Sequence, residues 1–297
     1  MQRLFNRLRR TPSGPPSTST FAQRKLVAED TLARAKGIIK AHSAEGATSA
    51  STFVGAQLEP LDEAESPQYG PSSVEVINCD AFTVARKIFG EAPDAKGNIT
   101  VLNLASDQQP AGGWLFSLSK TQEEALCYSS TLYATLKKEY YPWPNVGPDS
   151  IAGVYSPGVV IFKNDMDNNC RDLELNERRV VSVITVAAPR HRPLTSDGLN
   201  FKQPSYLEDL KGKIRLVYRM AARNDQRILV LGAMGCGAYA CPPRLVAEQM
   251  KSILLEPEFK GVFKKVVFAV YDVGGRPDSN FAVFSEVFKD TYINEDA

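Results

Sequence analysis

Beyond Gly70 the chain settles into one rhythm: short runs dense in Val, Ile and Leu, each followed by a longer stretch with helical spacing. Runs that are apolar at nearly every position suit strands buried on both faces, and such strands need helices on both sides of their sheet. The pattern predicts strands over 74–78, 99–104, 159–162, 180–187, 228–232 and 266–271, and helices over 82–89, 122–139, 206–222, 243–254 and 280–288. Upstream, helical spacing runs from Ser19 to about His42, with Thr20 as its cap. A loose stretch over 43–70, rich in Ala, Ser, Glu and Pro, leaves room for one short edge strand near 52–58. The expected layout is a tail over 1–20, a helical extension over 21–70 and a single α/β domain over 71–291.

Charge and residue usage narrow the chemistry. The 297 residues carry 35 Lys and Arg against 34 Asp and Glu, a net charge of +1, which argues against whole-surface binding to nucleic acid. No apolar run approaches the roughly 18 residues needed to span a bilayer, so a membrane is not an expected partner. With His42 and His191 as the only histidines, three-His metal sites are excluded. Five Cys without a CxxC pair argue against a disulfide framework and a Cys-based zinc site, and no metal or cofactor is expected. Reduced Cys point to the cytoplasm or nucleus. The first twenty residues hold Arg3, Arg7, Arg9 and Arg10, then PSGPPSTST, with no acid before Glu29. They fit a disordered basic tail, the plainer reading, or a mitochondrial presequence.

Four places could carry a site. After the strand ending near Ala105 comes a loop with Pro110, Gly112 and Gly113, then a helix opening with Gln122, Glu123 and Glu124. Acidic residues there could simply complement the helix dipole, but ligands of open α/β sheets sit beyond strand carboxyl ends. A second loop holds Gly232, Gly235 and Gly237 in LGAMGCGAYACPP and can offer backbone N–H groups to an anion beside a helix N-terminus. It matches neither the dinucleotide fingerprint nor a P-loop. Two such loops after strands of one sheet could hold a diphosphate between them. Asp80, at a strand-to-helix junction, is an expected N-cap with one oxygen left for a ligand. Tyr271, Asp272 and Phe281 follow the last strand, where packing is the better expectation. His191, in PRHRP, reads as solvent-facing, Arg190 and Arg192 beside it as a small solvated patch, and Cys236 as a packing residue.

These residues also carry a likeness. The runs GGWLFSLSKTQEEALCYSSTLY, YSPGVVIFK, VVSVITVAAP, ILVLGAMGCGAY and VVFAVYD, with the helix FAQRKLVAEDTLARA, resemble the microbial-type poly(ADP-ribose) glycohydrolases of the macrodomain superfamily. The resemblance spans about residues 21–290. It implies a three-layer α/β/α macrodomain with a mixed central sheet and an N-terminal helical extension. It implies that Glu124 is the catalytic acid and that Glu123 holds the ribose hydroxyls, beside Gln122. Ala111, Gly112 and Gly113 would form the first diphosphate-facing loop, and Gly235, Cys236, Gly237 and Ala238 the second. Tyr239 would lie against the distal ribose and Asp80 against the adenine amino group. The implied partners are ADP-ribose, poly(ADP-ribose) or ADP-ribosylated macromolecules. Cleaving a ribose–ribose glycosidic bond needs a carboxylic acid to protonate the leaving oxygen, and adjacent carboxylates raise one another's proton affinity. Here Ala111 stands where the family has Gly, and Ser117, Leu118, Ser119 and Lys120 replace a small Gly-Ala step. These departures motivate a second reading, an ADP-ribose-binding reader with weak or lost hydrolysis. A third is a hydrolase of mono-ADP-ribosylated or acetylated ADP-ribose substrates.

Overall fold

The computed structural model describes Thr18, residues 20–92 and residues 95–295. The basic tail and presequence expectations fall on residues outside these, apart from Thr18 and Thr20. The strands are β1 (Thr52–Val54), β2 (Ser72–Ser73), β3 (Glu75–Ile77), β4 (Ile99–Leu104), β5 (Gly153–Ile161), β6 (Arg179–Val186), β7 (Ile228–Leu231), β8 (Lys265–Ala269) and β9 (Tyr292–Ile293). The helices are α1 (Phe21–Ala41), α2 (Ala81–Glu91), α3 (Gln122–Ser129), α4 (Pro204–Arg223), α5 (Pro243–Leu254) and α6 (Asn280–Val287). Seven strands make one mixed sheet in the order β1-β5-β6-β4-β7-β8-β3, while β2 and β9 pair apart. From β6 to β3 the strands are parallel; β5 and β1 add antiparallel at the β6 edge.

The alternation of side chains along each strand divides the core in two. On β7, Ile228 and Val230 enter one core, and Leu229 and Leu231 the other. On β8, Val267 and Ala269 join the first, and Val266 and Phe268 the second. The first core takes Val27 of α1, Phe82 of α2 and Leu126 of α3; the second takes Ile214 of α4, Val246 of α5 and Phe284 of α6. Period-two strands sandwiched between helix stripes give the three-layer α/β/α architecture. Helix α1 starts at a capping box, Thr20 with Gln23, and its Thr31 hydroxyl donates to the Tyr128 carbonyl of α3 at 2.9 Å.

Helices α2 and α3, after β3 and β4, cover one face, whereas α4, α5 and α6 cover the other. Strands β4 and β7 are neighbours, so the loops leaving them part in opposite directions. A crevice opens at such a switch point, beyond the carboxyl ends of the strands.

Two elements differ from expectation. The helix predicted over 122–139 stops at Ser129. The Ser129 hydroxyl donates to the Ala125 carbonyl at 3.1 Å and that of Ser130 to the Leu126 carbonyl at 2.8 Å. The Thr131 hydroxyl accepts the Val160 amide at 2.9 Å. Three hydroxyl residues thus offer the backbone partners that compete with the helical ladder, and Ser130 turns extended to bridge Ile161. Strand β5 begins at Gly153, well before the predicted 159, because its register shifts between Ser156 and Val159 around Pro157 and Gly158. A bulge accommodates a proline inside a strand.

Phe268 is fully buried, with ring centroids 5.6 Å from Phe284 and 4.3 Å from Phe288. Phe268→Ala is expected to lower stability by about 3–5 kcal/mol, read as a fall in the urea midpoint at constant slope.

Candidate active site

The switch-point crevice is a cavity of about 1030 Å³. It runs across the strand ends in sheet order, from Asp80 after β3, past Tyr271 after β8 and the loops after β7 and β4, to Arg190 after β6.

Its floor is the first turn of α3. The Gln122 amide joins that turn to β4, donating to the Leu102 carbonyl at 2.8 Å and accepting the Leu104 amide at 2.9 Å. Glu123 is buried, 3% exposed; its Oε1 accepts from Asn103 Nδ2 at 3.1 Å and its Oε2 from the Ser106 amide at 2.8 Å. Burial pushes the Glu123 carboxyl up to about 8, against the opposing pull of those two donors, and the Glu124 and Asp107 charges add smaller upward contributions. Proximity of the paired acids, the cause expected from their adjacency, is therefore secondary to desolvation at Glu123. Glu124, 4% exposed, accepts the Gly113 amide at 2.7 Å and the Ser119 hydroxyl at 3.0 Å on Oε1, and the Thr121 hydroxyl on Oε2.

The first glycine loop lies directly on these carboxylates. Gly112 has φ +51°, and a methyl there would sit 2.8 Å from Glu124 Oε1 and 3.0 Å from Glu123 Oε2. A methyl on Gly113 would meet Ser119 Oγ at 2.5 Å. Gly112 thus requires glycine on both backbone and steric grounds, whereas a methyl on Gly113 would have to displace the Ser117 and Ser119 hydroxyls. Ala111 also has positive φ, +58°, a conformation that costs a non-glycine residue roughly 1 kcal/mol. Its methyl packs into the α1–α3 core, behind the cavity wall, so it does not obstruct the loop's ligand face.

In the loop after β7, Gly235 has φ +74°, and a methyl there would lie 2.5 Å from Ala188 Cβ and 2.7 Å from Cys241 Sγ. Gly237 faces open space, and Gly235, Gly237, Ala238 and Tyr239 line the cavity. Cys236 stands behind the wall, its thiol driven well up by burial and its Sγ 3.6 Å from the Met234 carbonyl. This is the packing role expected from sequence.

Tyr239 is anchored by a residue that sequence reading missed. Asp107, wholly buried, accepts the Tyr239 hydroxyl at 3.2 Å, Asn145 Nδ2 at 3.1 Å and the Gln108 amide, with Arg190 Nη2 at 3.5 Å. Asn145 also donates to the Ala188 carbonyl at 2.9 Å and accepts the Arg190 amide at 2.7 Å. The loops after β4, β6 and β7 are thereby tied together from residues far apart in the chain, which no local pattern could reveal.

At the opposite end, Asp80 caps α2 through Oδ1, which accepts the Thr83 amide at 2.9 Å. Burial, then the Asp165 charge, push it up to about 6 against the backbone hydrogen bonds. The Thr83 hydroxyl donates to Asp165 at 2.7 Å, and Tyr271 donates to both oxygens of Asp167 at 2.8 and 2.7 Å. Tyr271 lines the cavity at 50% exposure, so the packing expectation fails for it. It holds for Phe281, which packs on the α4–α6 core. Asp272 instead caps the Gly274 and Gly275 amides at 2.9 and 3.1 Å. His191 is solvent-facing, as expected. Arg192 folds onto the Tyr206 ring at 5.6 Å, and of the residues Arg190, His191 and Arg192 it is Arg190 that lines the cavity. Among the described residues, no three His, Cys, Asp or Glu side chains are grouped to share a metal ion, and no helix is long and apolar enough to cross a membrane.

A long cleft at the switch point of a mixed α/β/α sandwich, with acids beneath one of two glycine loops, defines a protein of the macrodomain kind. The family model for the microbial-type PARG catalytic domain matches residues 39–164. Among solved structures, poly(ADP-ribose) glycohydrolase (PARG) from Thermomonospora curvata is 27% identical, with a TM-score of 0.71 over 90% of this chain and 99% of that chain. The same enzyme bound to the inhibitor ADP-HPD is 28% identical, with a TM-score of 0.69 over 89% of this chain and 99% of that one. The Deinococcus radiodurans enzyme in complex with ADP-ribose is 30% identical, with a TM-score of 0.63 over 80% of this chain and 94% of that chain. No protein of curated function matches the sequence. With that identity over almost the whole Deinococcus enzyme, the chain belongs to the microbial-type poly(ADP-ribose) glycohydrolase family.

A carboxyl whose folded-state pKa stands above its unfolded value keeps its proton longer in the folded chain. Glu123 therefore withdraws stability as pH rises from its ordinary 4.5 through about 8. Glu123→Gln should flatten that decline in thermal midpoint; an unchanged slope would contradict the assignment. Gly112→Ala should weaken ADP-ribose binding at least tenfold in calorimetry, since its methyl must displace both carboxylates.

Proposed function

We propose that the protein hydrolyses the ribose–ribose O-glycosidic bond of poly(ADP-ribose) and releases ADP-ribose. The observation that carries this reading is the convergence of Glu123 and Glu124 beneath Gly112, at the point where the cleft passes from the two glycine loops toward β6. Adenine sits at the Asp80 end with its amino group on the free carboxyl oxygen, Tyr271 beside it. The diphosphate lies between Gly112 and Gly113 on one side and Gly235, Gly237 and Ala238 on the other, where backbone N–H groups meet the anion. Ala111 and Cys236 shape these loops from behind. The distal ribose rests between Tyr239 and the acids.

Glu123 holds the ribose hydroxyls, and Gln122 fixes the turn that presents it. Glu124 gives its proton to the leaving oxygen as the bond from the anomeric carbon to that oxygen breaks. The oxocarbenium-like centre is stabilised by the neighbouring diphosphate. The ionised Glu124 then takes a proton from water, whose oxygen bonds to the anomeric carbon. The acid is regenerated and ADP-ribose is released. The Ala111 methyl points into the core and not at the ligand, so this departure from the family removes the main argument for a pure reader at that position.

Purified protein incubated with poly(ADP-ribose) should release ADP-ribose. Glu124→Gln should lower the rate at least a thousandfold yet still bind ADP-ribose. Cleavage by the variant at the wild-type rate would remove Glu124 from this role.

A further inference from the structure

One short segment after β4 is bonded to both walls of the place proposed for the distal ribose. Ser106 and Gln108 line the cleft, whereas Asp107 between them turns behind the wall and is wholly buried. The Ser106 amide holds Glu123 Oε2 at 2.8 Å. Its neighbour Asp107 holds the Tyr239 hydroxyl on Oδ1 at 3.2 Å. Glu123, on α3, and Tyr239, on the loop after β7, both line the cleft. Adjacent residues thus fix an acid and an aromatic ring that lie far apart in the chain.

Asp107 is itself fixed. Its carbonyl accepts the Trp143 amide at 3.1 Å, and its Oδ1 also accepts Asn145 Nδ2 at 3.1 Å. Its Oδ2 accepts the Gln108 side-chain amide and lies 3.5 Å from Arg190 Nη2. Tyr239 is held at both ends. Its carbonyl accepts the His191 amide at 2.9 Å, and the Arg190 guanidinium lies 5.9 Å over its ring. Burial, then the Asp107 charge, pushes the Tyr239 hydroxyl up to about 12, so it keeps its proton and stays a donor at neutral pH. A tyrosine anchored by its polar tip presents its apolar ring at one angle. A buried carboxylate is costly to desolvate. This one gathers donors from several loops without lining the cleft, and what it holds steady is the ring that does.

We infer that Asp107 is the positioning residue of the distal-ribose pocket: through the Tyr239 hydroxyl it sets the ring opposite Glu123, and so makes the site read the distal ribose of ADP-ribose beyond its ADP part. The inference rests on the function proposed above and deepens it by naming what shapes that pocket. Asp107 acts through Tyr239 and touches neither ligand nor reacting atoms.

Calorimetry on the full chain compares ADP-ribose with ADP, which lacks the distal ribose. The wild type should bind ADP-ribose more tightly. Tyr239→Phe keeps the ring and removes only the hydroxyl. It should weaken ADP-ribose binding about fivefold, the size of one hydrogen bond's net contribution, and ADP binding less than about twofold. Asp107→Asn should shift the two ligands in the same sense. The double variant should bind ADP-ribose no more weakly than Asp107→Asn alone, because both changes break one bond. If Asp107→Asn fails to fold, Tyr239→Phe decides, since it leaves the other donors to Asp107 in place. Four results would overturn the inference: equal losses for ADP-ribose and ADP, no loss in Tyr239→Phe, additive losses in the double variant, or a wild type that binds ADP-ribose no tighter than ADP. Hydrolysis is read separately. A wild type that releases no ADP-ribose from polymer removes the proposed function, and the ADP-ribose-to-ADP affinity ratio still decides the pocket.

Discussion

The site depends on a single amide. Gln122 bonds the backbone of β4 on both sides of Asn103, through Leu102 and Leu104, and so docks the first turn of α3 against the end of a central strand. Everything chemical follows from that docking. It brings Glu123 against Asn103 and the Ser106 amide, and it leaves Glu124 beneath the Gly113 amide. Two buried carboxylates are expensive to desolvate, and the surrounding donors are what make the arrangement tolerable. Glycine at 112 and 113 is the steric consequence, because the backbone must descend onto the acids with no side chain between.

The topology supplies the second constraint. Because crossovers after β3 and β4 cover one face and those after β6, β7 and β8 the other, the loops after β4 and β7 diverge. An elongated cleft lies across the strand ends, and its chemistry changes strand by strand. Asp80, Asp165 and Asp167 line it near β3 and β8, the glycine loops and the paired glutamates follow at β7 and β4, and Arg190 lines it after β6. The Asp107 and Asn145 network keeps these loops in register with one another.

Much of this was legible in the sequence. The parallel strands announced themselves as apolar runs, since burial on both faces leaves no polar positions to interrupt them. The glycine loops and the acids of α3 stood out for local reasons: conformational freedom and helix-terminal position. What escaped had non-local causes. Asp107, Asn145 and Arg190 meet only after three loops converge, so their spacing carries no signal. Tyr271 looks like any aromatic after a strand until Asp167, from a distant loop, takes its hydroxyl. The early end of α3 turns on hydroxyls at Ser129, Ser130 and Thr131, whose competing bonds are felt only beside β5. The first half of β5 was hidden by Pro157 and Gly158, which a bulge accommodates.

Under the proposed function, sheet order lays out the ligand from nucleobase at β3 to scissile bond at β4. A crystal structure with ADP-ribose bound tests it directly. The expected complex has the adenine amino group on Asp80, the diphosphate between the loops of Gly112 and Gly235, and the distal ribose over Glu123 with Tyr239 against it. A ligand running the other way, or a diphosphate seated away from both glycine loops, would contradict it.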